Sequence, residues 1–122
     1  MTETQNSKQY DLEDRTLIFA KRIREFVAKL GRTLANVEDS KQLIRSSGSV
    51  GANYIEANEA LSKKDFAMRA KICRKEAKES RYWLRLVDTG ANKDLEQERK
   101  ALEAEANELT HIFGSIVTKT KC

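Results

Sequence analysis

Eight cations gather on one side of a single stretch of this chain. Lys63, Lys64, Lys71, Arg74, Lys75, Lys78, Arg81 and Arg85 fall within an arc of about 120° when the segment is wound as a helix, and no acid lies among them. At 1.5 Å per residue the stripe runs about 33 Å, comparable to one turn of a nucleic-acid duplex. A row of this kind suits a phosphate backbone, because neutralised phosphates release condensed counterions and drive binding without reading sequence. Arg74, Lys78, Arg81 and Arg85 form the centre of this candidate nucleic-acid-binding site, flanked by Lys63, Lys71 and Lys75. Tyr82 lies at its margin, as a base-stacking ring or as an amphipathic rim residue. The competing account is a solvated face, or one neutralised by later acids such as Glu96, Glu103 and Glu108.

Other chemistries are weakly written. Glu108-x-x-His111 has the spacing of carboxylate-bridged di-metal bundles, but those sites need two such motifs and His111 is the only histidine. The run Arg45-Ser46-Ser47-Gly48-Ser49-Val50-Gly51 lacks the Gly-x-x-x-x-Gly-Lys pattern of a phosphate loop and reads as small-residue helix packing. A Ser/His/Asp triad would have to use the same lone His111, and nothing sets a nucleophile beside it. Cys73 falls on an apolar seam, where a buried structural thiol is the default. The residues therefore predict no enzyme, no metal and no cofactor.

The elements that must position the stripe follow from periodicity. The chain has 122 residues, 39% apolar and 34% charged, and no proline; average usage would give about 5% proline. That composition argues for one helical domain. Four amphipathic segments are predicted at about 11–30, 38–61, 63–88 and 93–117, within a domain spanning 11–117. A frayed N-terminus over 1–10 and a tail over 118–122 flank it. Asp11, Ser62 with Asp65, and Asn92 mark helix starts; the second segment starts near Asn36 or Ser40 and carries Leu43, Ser47, Val50, Tyr54, Ala57 and Leu61 on one seam. Short connections between helices of this length imply an all-α, antiparallel up-and-down four-helix bundle. No run of about 20 apolar residues could span a membrane. The first ten residues lack the apolar core of a signal peptide, and the two cysteines, Cys73 and Cys122, carry no metal or disulfide spacing. A reducing cytoplasm is the expected location.

The tight connection between the second and third segments sets a register in which facing residues have numbers summing to about 124, so that large meets small at successive layers. That register predicts two structural ion pairs, Arg45 with Glu79 and Glu56 with Arg69. The second segment also presents Ile44, Gly48, Gly51 and Ile55 on a second face. Glycine inside a helix costs about 1 kcal/mol relative to alanine, so a close backbone approach is expected there. The third segment likewise clusters Met68, Ile72, Trp83 and Leu86 away from its seam. Ile44, Ile55, Met68, Ile72, Trp83 and Leu86 are accordingly the candidate oligomer interface; the alternative is that each helix of a bundle simply touches two neighbours.

A longer pattern carries a resemblance. Leu43-Ile44-Arg45-Ser46-Ser47-Gly48-Ser49-Val50-Gly51-Ala52-Asn53-Tyr54-Ile55-Glu56-Ala57, then Asp65-Phe66, then Ile72-Cys73-Arg74-Lys75-Glu76-Ala77-Lys78-Glu79-Ser80-Arg81-Tyr82-Trp83-Leu84, resembles the four-helix-bundle proteins encoded by intervening sequences of bacterial 23S ribosomal RNA genes. The likeness covers Tyr10 to Val87. It implies a small cytoplasmic bacterial protein assembling as a homopentamer, and it supplies no reaction or catalytic residue. A related branch, the accessory proteins of diversity-generating retroelements, forms a positively charged pentameric barrel that binds nucleic acid and a reverse transcriptase.

The expectation is a non-enzymatic homo-oligomer, with no membrane association, that binds RNA or DNA through the third-helix stripe, RNA being favoured by the resemblance. The alternative is a protein–protein interaction scaffold that docks an acidic or nucleic-acid-bound protein without touching nucleic acid itself.

Overall fold

The computed structural model describes residues 11–120. Within them run four helices: α1 Leu12–Ala28, α2 Leu34–Asn58, α3 Lys63–Leu86 and α4 Lys93–Thr120. The N-terminus expected to fray, 1–10, and the last two residues of the expected tail, 121–122, lie outside the described residues. Each helix starts where a side chain satisfies an amide that the helix leaves open. Asp11 accepts from the Asp14 amide at 3.0 Å, Thr33 from Asn36 at 3.1 Å, Ser62 from Asp65 at 3.1 Å and Asn92 from Leu95 at 3.1 Å.

Three boundaries correct the sequence reading. The second helix begins at Leu34 rather than 38, because Thr33, in extended conformation, is the cap. Asn36 is instead buried within the first turn, where its Nδ2 donates to the Gly31 and Asp88 carbonyls at 2.9 Å each, and its Oδ1 accepts from the Asp88 amide at 2.9 Å. The same helix ends at Asn58, so Leu61 leaves the seam and stands 98% exposed in the α2–α3 turn. The fourth helix runs on to Thr120 through residues assigned to the tail; the Thr118 and Thr120 hydroxyls donate to the Gly114 and Ile116 carbonyls.

Antiparallel order is visible in the cross-contacts. Arg15 and Arg22 of α1 pair with Glu105 and Glu98 of α4, and the α2–α3 pairs have numbers near the expected sum: Arg45 with Glu79, Ser46 with Ser80, Val50 with Cys73 and Asn53 with Arg69. The core stacks Phe19, Ile23 and Phe26 of α1, Leu43 and Val50 of α2, Leu84 of α3, and Leu102, Leu109 and Phe113 of α4. Facing them, α3 presents Ala70, Cys73, Ala77 and Ser80. Small residues there let α3 pack closely on both α2 and α4, whereas α1 packs on α4 less extensively than on α2. Tyr54 closes the centre by meeting Phe113 edge to face at 5.5 Å.

The α2–α3 seam also corrects one ion pair. Arg69 donates to Asn53 Oδ1 at 3.1 Å, and Glu56 is exposed with no ion pair among the described residues. Glu56 sits about 60° farther around α2 than Asn53, away from α3, and its side chain is too short to return. Arg45 starts from a similar edge but is long enough: its Nη2 lies 2.5 Å from Glu79 Oε2. It also holds Glu76, whose carboxylate is buried, with Nη1 at 3.4 Å from Oε1.

Candidate nucleic-acid interface

The basic stripe of α3 becomes one wall of a groove whose other wall is α4. Arg74, Lys75, Lys78 and Arg81 face Asn107, Thr110, His111, Gly114, Ser115, Thr118 and Lys119 around a hollow of about 800 Å³. At Gly114 of α4 the Arg74 Cδ lies 3.6 Å from the position a Cβ would take, an ordinary contact distance, so the Arg74 stem passes close to the α4 backbone. Arg74 itself is exposed. Among the described residues no carboxylate lines the hollow.

Not every stripe residue reaches this groove. Lys63, Lys64 and Lys71 extend the basic face along α3 beyond it, and Arg85 lies past its other end, where its carbonyl accepts from Arg99 Nη1 at 3.3 Å. Lys75 is in the groove rather than at its flank, and its Nζ is 3.7 Å from Glu76 Oε2. The α4 wall was missed in the sequence. It had a signal there all the same: Asn107, His111, Gly114 and Thr118 recur at steps of four, three and four, and no acid follows Glu108.

Of the α4 acids named as possible neutralisers of the stripe, Glu96 and Glu108 pair with other cations, and Glu103 pairs with none among the described residues. Arg15 donates to Glu105 through Nε at 2.7 Å and Nη2 at 2.9 Å and lies 4.0 Å from Glu108, while Arg22 reaches Glu98 at 3.4 Å. Glu96 pairs with Arg99 on its own helix, and that guanidinium holds the Glu96 carboxyl below the usual range. Glu103 makes no ion pair among the described residues, and none of the cations lining the groove is paired with an acid of α4. The α1–α4 cleft, of about 420 Å³, makes the contrast: Arg15 and Arg22 line it together with Asp11, Asp14 and Glu105.

The remaining candidates sit apart from the groove. Ile55 is exposed on α2, Met68 and Leu86 are each 49% exposed on α3, and Ile44, Ile72 and Trp83 are half-buried, with Trp83 packed partly on the core. Cys73 is buried, its thiol donates to the Val50 carbonyl at 3.3 Å, and burial pushes its pKa up to about 12. Among the described residues no cluster of three or more His, Cys, Asp or Glu side chains could hold a metal ion, and no helix is long and apolar enough to cross a membrane.

Fold and site together define an all-helical bundle protein with a cationic groove between neighbouring helices, and comparison with known sequences narrows the class. Residues 8–115 match the 23S rRNA-intervening sequence protein family, and the chain belongs to that family. A similar solved structure is a protein of unknown function from the S23 ribosomal protein family of Bacteroides thetaiotaomicron. It is 32% identical, covers 86% of this chain and 96% of its own, and superposes with a TM-score of 0.70. No curated protein matches the chain.

Proposed function

We propose that the protein is a non-enzymatic scaffold that binds nucleic acid, RNA in particular, by seating phosphates in the α3–α4 groove. One observation carries this reading: Arg74, Lys75, Lys78, Arg81 and Lys119 line one hollow, with no carboxylate among its described lining residues. Like charges gathered in a concavity repel one another and focus a positive field, an arrangement that favours a polyanion over solvent alone. The family name, attached to ribosomal RNA genes, supports RNA as the ligand.

The same proposal includes assembly as a cytoplasmic homopentamer. Its support is the exposed apolar side chains of Ile55, Met68 and Leu86, with Ile44, Ile72 and Trp83 half-buried on the same two helices. Five grooves on one ring would act through effective concentration, so that sites of about 10⁻⁴ to 10⁻⁶ M each combine into a tighter whole.

The test is a titration of structured RNA and of duplex DNA at about 50 and 200 mM salt, with wild type beside an Arg74→Glu, Lys78→Glu, Arg81→Glu variant of unchanged helicity. Affinity that falls steeply with salt, and that the variant loses, is the expected result. Absence of binding by wild type at the lower salt would overturn it and favour the rival, a protein partner docking on the basic face. Light scattering after size exclusion reads the subunit count; a monomer at micromolar concentration would remove the pentamer.

A further inference from the structure

We infer that Tyr82 is a base-stacking platform beside the groove, and that the ligand is therefore an unpaired single strand rather than a duplex; this rests on the nucleic-acid reading above. Tyr82 is 57% exposed and stands on the stripe side of α3, one turn after Lys78 and three residues before Arg85. Those two cations are its neighbours on the helix surface. Its ring does not hang free. It meets Trp83 edge to face, with centroids 5.1 Å apart and planes at 79°. Trp83 in turn donates from Nε1 to Glu79 Oε2 at 3.1 Å, and Glu79 is gripped by Arg45 of α2 at 2.5 Å. The chain Arg45–Glu79–Trp83–Tyr82 thus ties an exposed aromatic to the bundle, which lowers the entropy lost when a second ring stacks on it.

The exposed ring argues for a single strand, and the cations beside it suit its backbone. Arg74, Lys78, Arg81 and Arg85 rise by about 4.5 to 6 Å from one to the next, the order of the separation between successive phosphates along one strand. With phosphates in the groove, the bases of that strand pass the Tyr82 ring, and only an unpaired base has a face to offer it.

The full chain is titrated, at about 50 mM salt, with a fluorescein-labelled single-stranded RNA of about 12 nucleotides, within the usual range of site sizes, and with the same sequence annealed to its complement. Wild type, Tyr82→Phe and Tyr82→Ala are compared, each checked for helicity and melting temperature. The expected result is tighter binding of the single strand, retained by Tyr82→Phe and weakened about 5- to 150-fold by Tyr82→Ala, with duplex binding unaffected by either substitution. Trp83 is the only tryptophan, so its fluorescence should change with the same midpoint as the single strand binds. Equal binding of both forms, or no effect of Tyr82→Ala, overturns the stacking role and leaves the groove reading in place. Failure of wild type to bind either form overturns both.

Discussion

Gly51 of α2 lies against Thr16 of α1 so closely that a Cβ added to it would stand 2.8 Å from Thr16 Oγ1 and 3.2 Å from Thr16 Cβ. Thr16 has little room to yield, since it is buried and its hydroxyl donates to the Leu12 carbonyl at 2.7 Å. The helical glycine that looks wasteful in sequence is what lets these two helices meet. Gly51→Ala gains about 1 kcal/mol of helix propensity but overpacks at a cost of about 1–3 kcal/mol, so a net loss of about 1 kcal/mol is expected in urea unfolding. Gly48→Ala should go the other way, because its nearest neighbour, Arg24 Nη2, is at an ordinary 3.7 Å. Thr16→Ala should relieve the Gly51→Ala penalty in a double-mutant cycle.

Asn36 joins the two turns at one end of the bundle through its bonds to Gly31 and Asp88. Asn36→Ala leaves the Gly31 and Asp88 carbonyls and the Asp88 amide without this partner and should cost about 1–3 kcal/mol. Asn36→Asp should be no better, since a carboxylate would turn acceptor oxygens toward the Gly31 and Asp88 carbonyls. Denaturant midpoints at constant slope would check both; a change below about 0.5 kcal/mol would count against this linkage.

Glu79 should make stability depend on pH. The Trp83 indole N–H, and then the Arg45 guanidinium, hold its carboxyl below the usual range. A carboxyl depressed in the folded state binds protons more readily when unfolded. Its contribution is therefore complete above the ordinary glutamate pKa of about 4.3 and is lost as pH falls through the lower folded value. Glu79→Ala should lower the melting temperature at pH 7. The gap from Glu79→Gln to wild type should narrow only below about pH 4.3, and a gap that closes between pH 7 and 5 would contradict the assignment.

Cys73 should be inert while the bundle is folded. With its thiol buried and its pKa pushed up to about 12, almost no thiolate exists near neutrality. In a Cys122→Ser background, alkylation by iodoacetamide at pH 8 should await urea unfolding. Labelling of the native protein at the rate of a free thiol would show that the α2–α3 seam opens.

The helices, their order and the α2–α3 register were legible because caps, apolar period and short turns act over a few residues. Ser62 and Asp65 start α3 where the capping box placed it, and Arg45 meets Glu79. The failures came where position around a helix decided the outcome. Leu61 continued the seam in pattern, yet α2 had already ended. Glu56 had the right height to meet Arg69, yet Asn53 faced α3 more directly.

The sequence by itself determined four amphipathic helices, the buried seam and an acid-free basic stripe on α3, since each is a periodicity within one helix. Only the tertiary structure decided that α4 turns Glu98 and Glu105 toward the arginines of α1 and Asn107, His111 and Thr118 toward the stripe, making a groove rather than a neutralised face. Only it, too, buried Glu76 beneath Arg45. The physical reason is that a rotation of tens of degrees about a helix axis leaves the hydrophobic pattern nearly unchanged while exchanging which charges meet, so packing between helices settles the electrostatics.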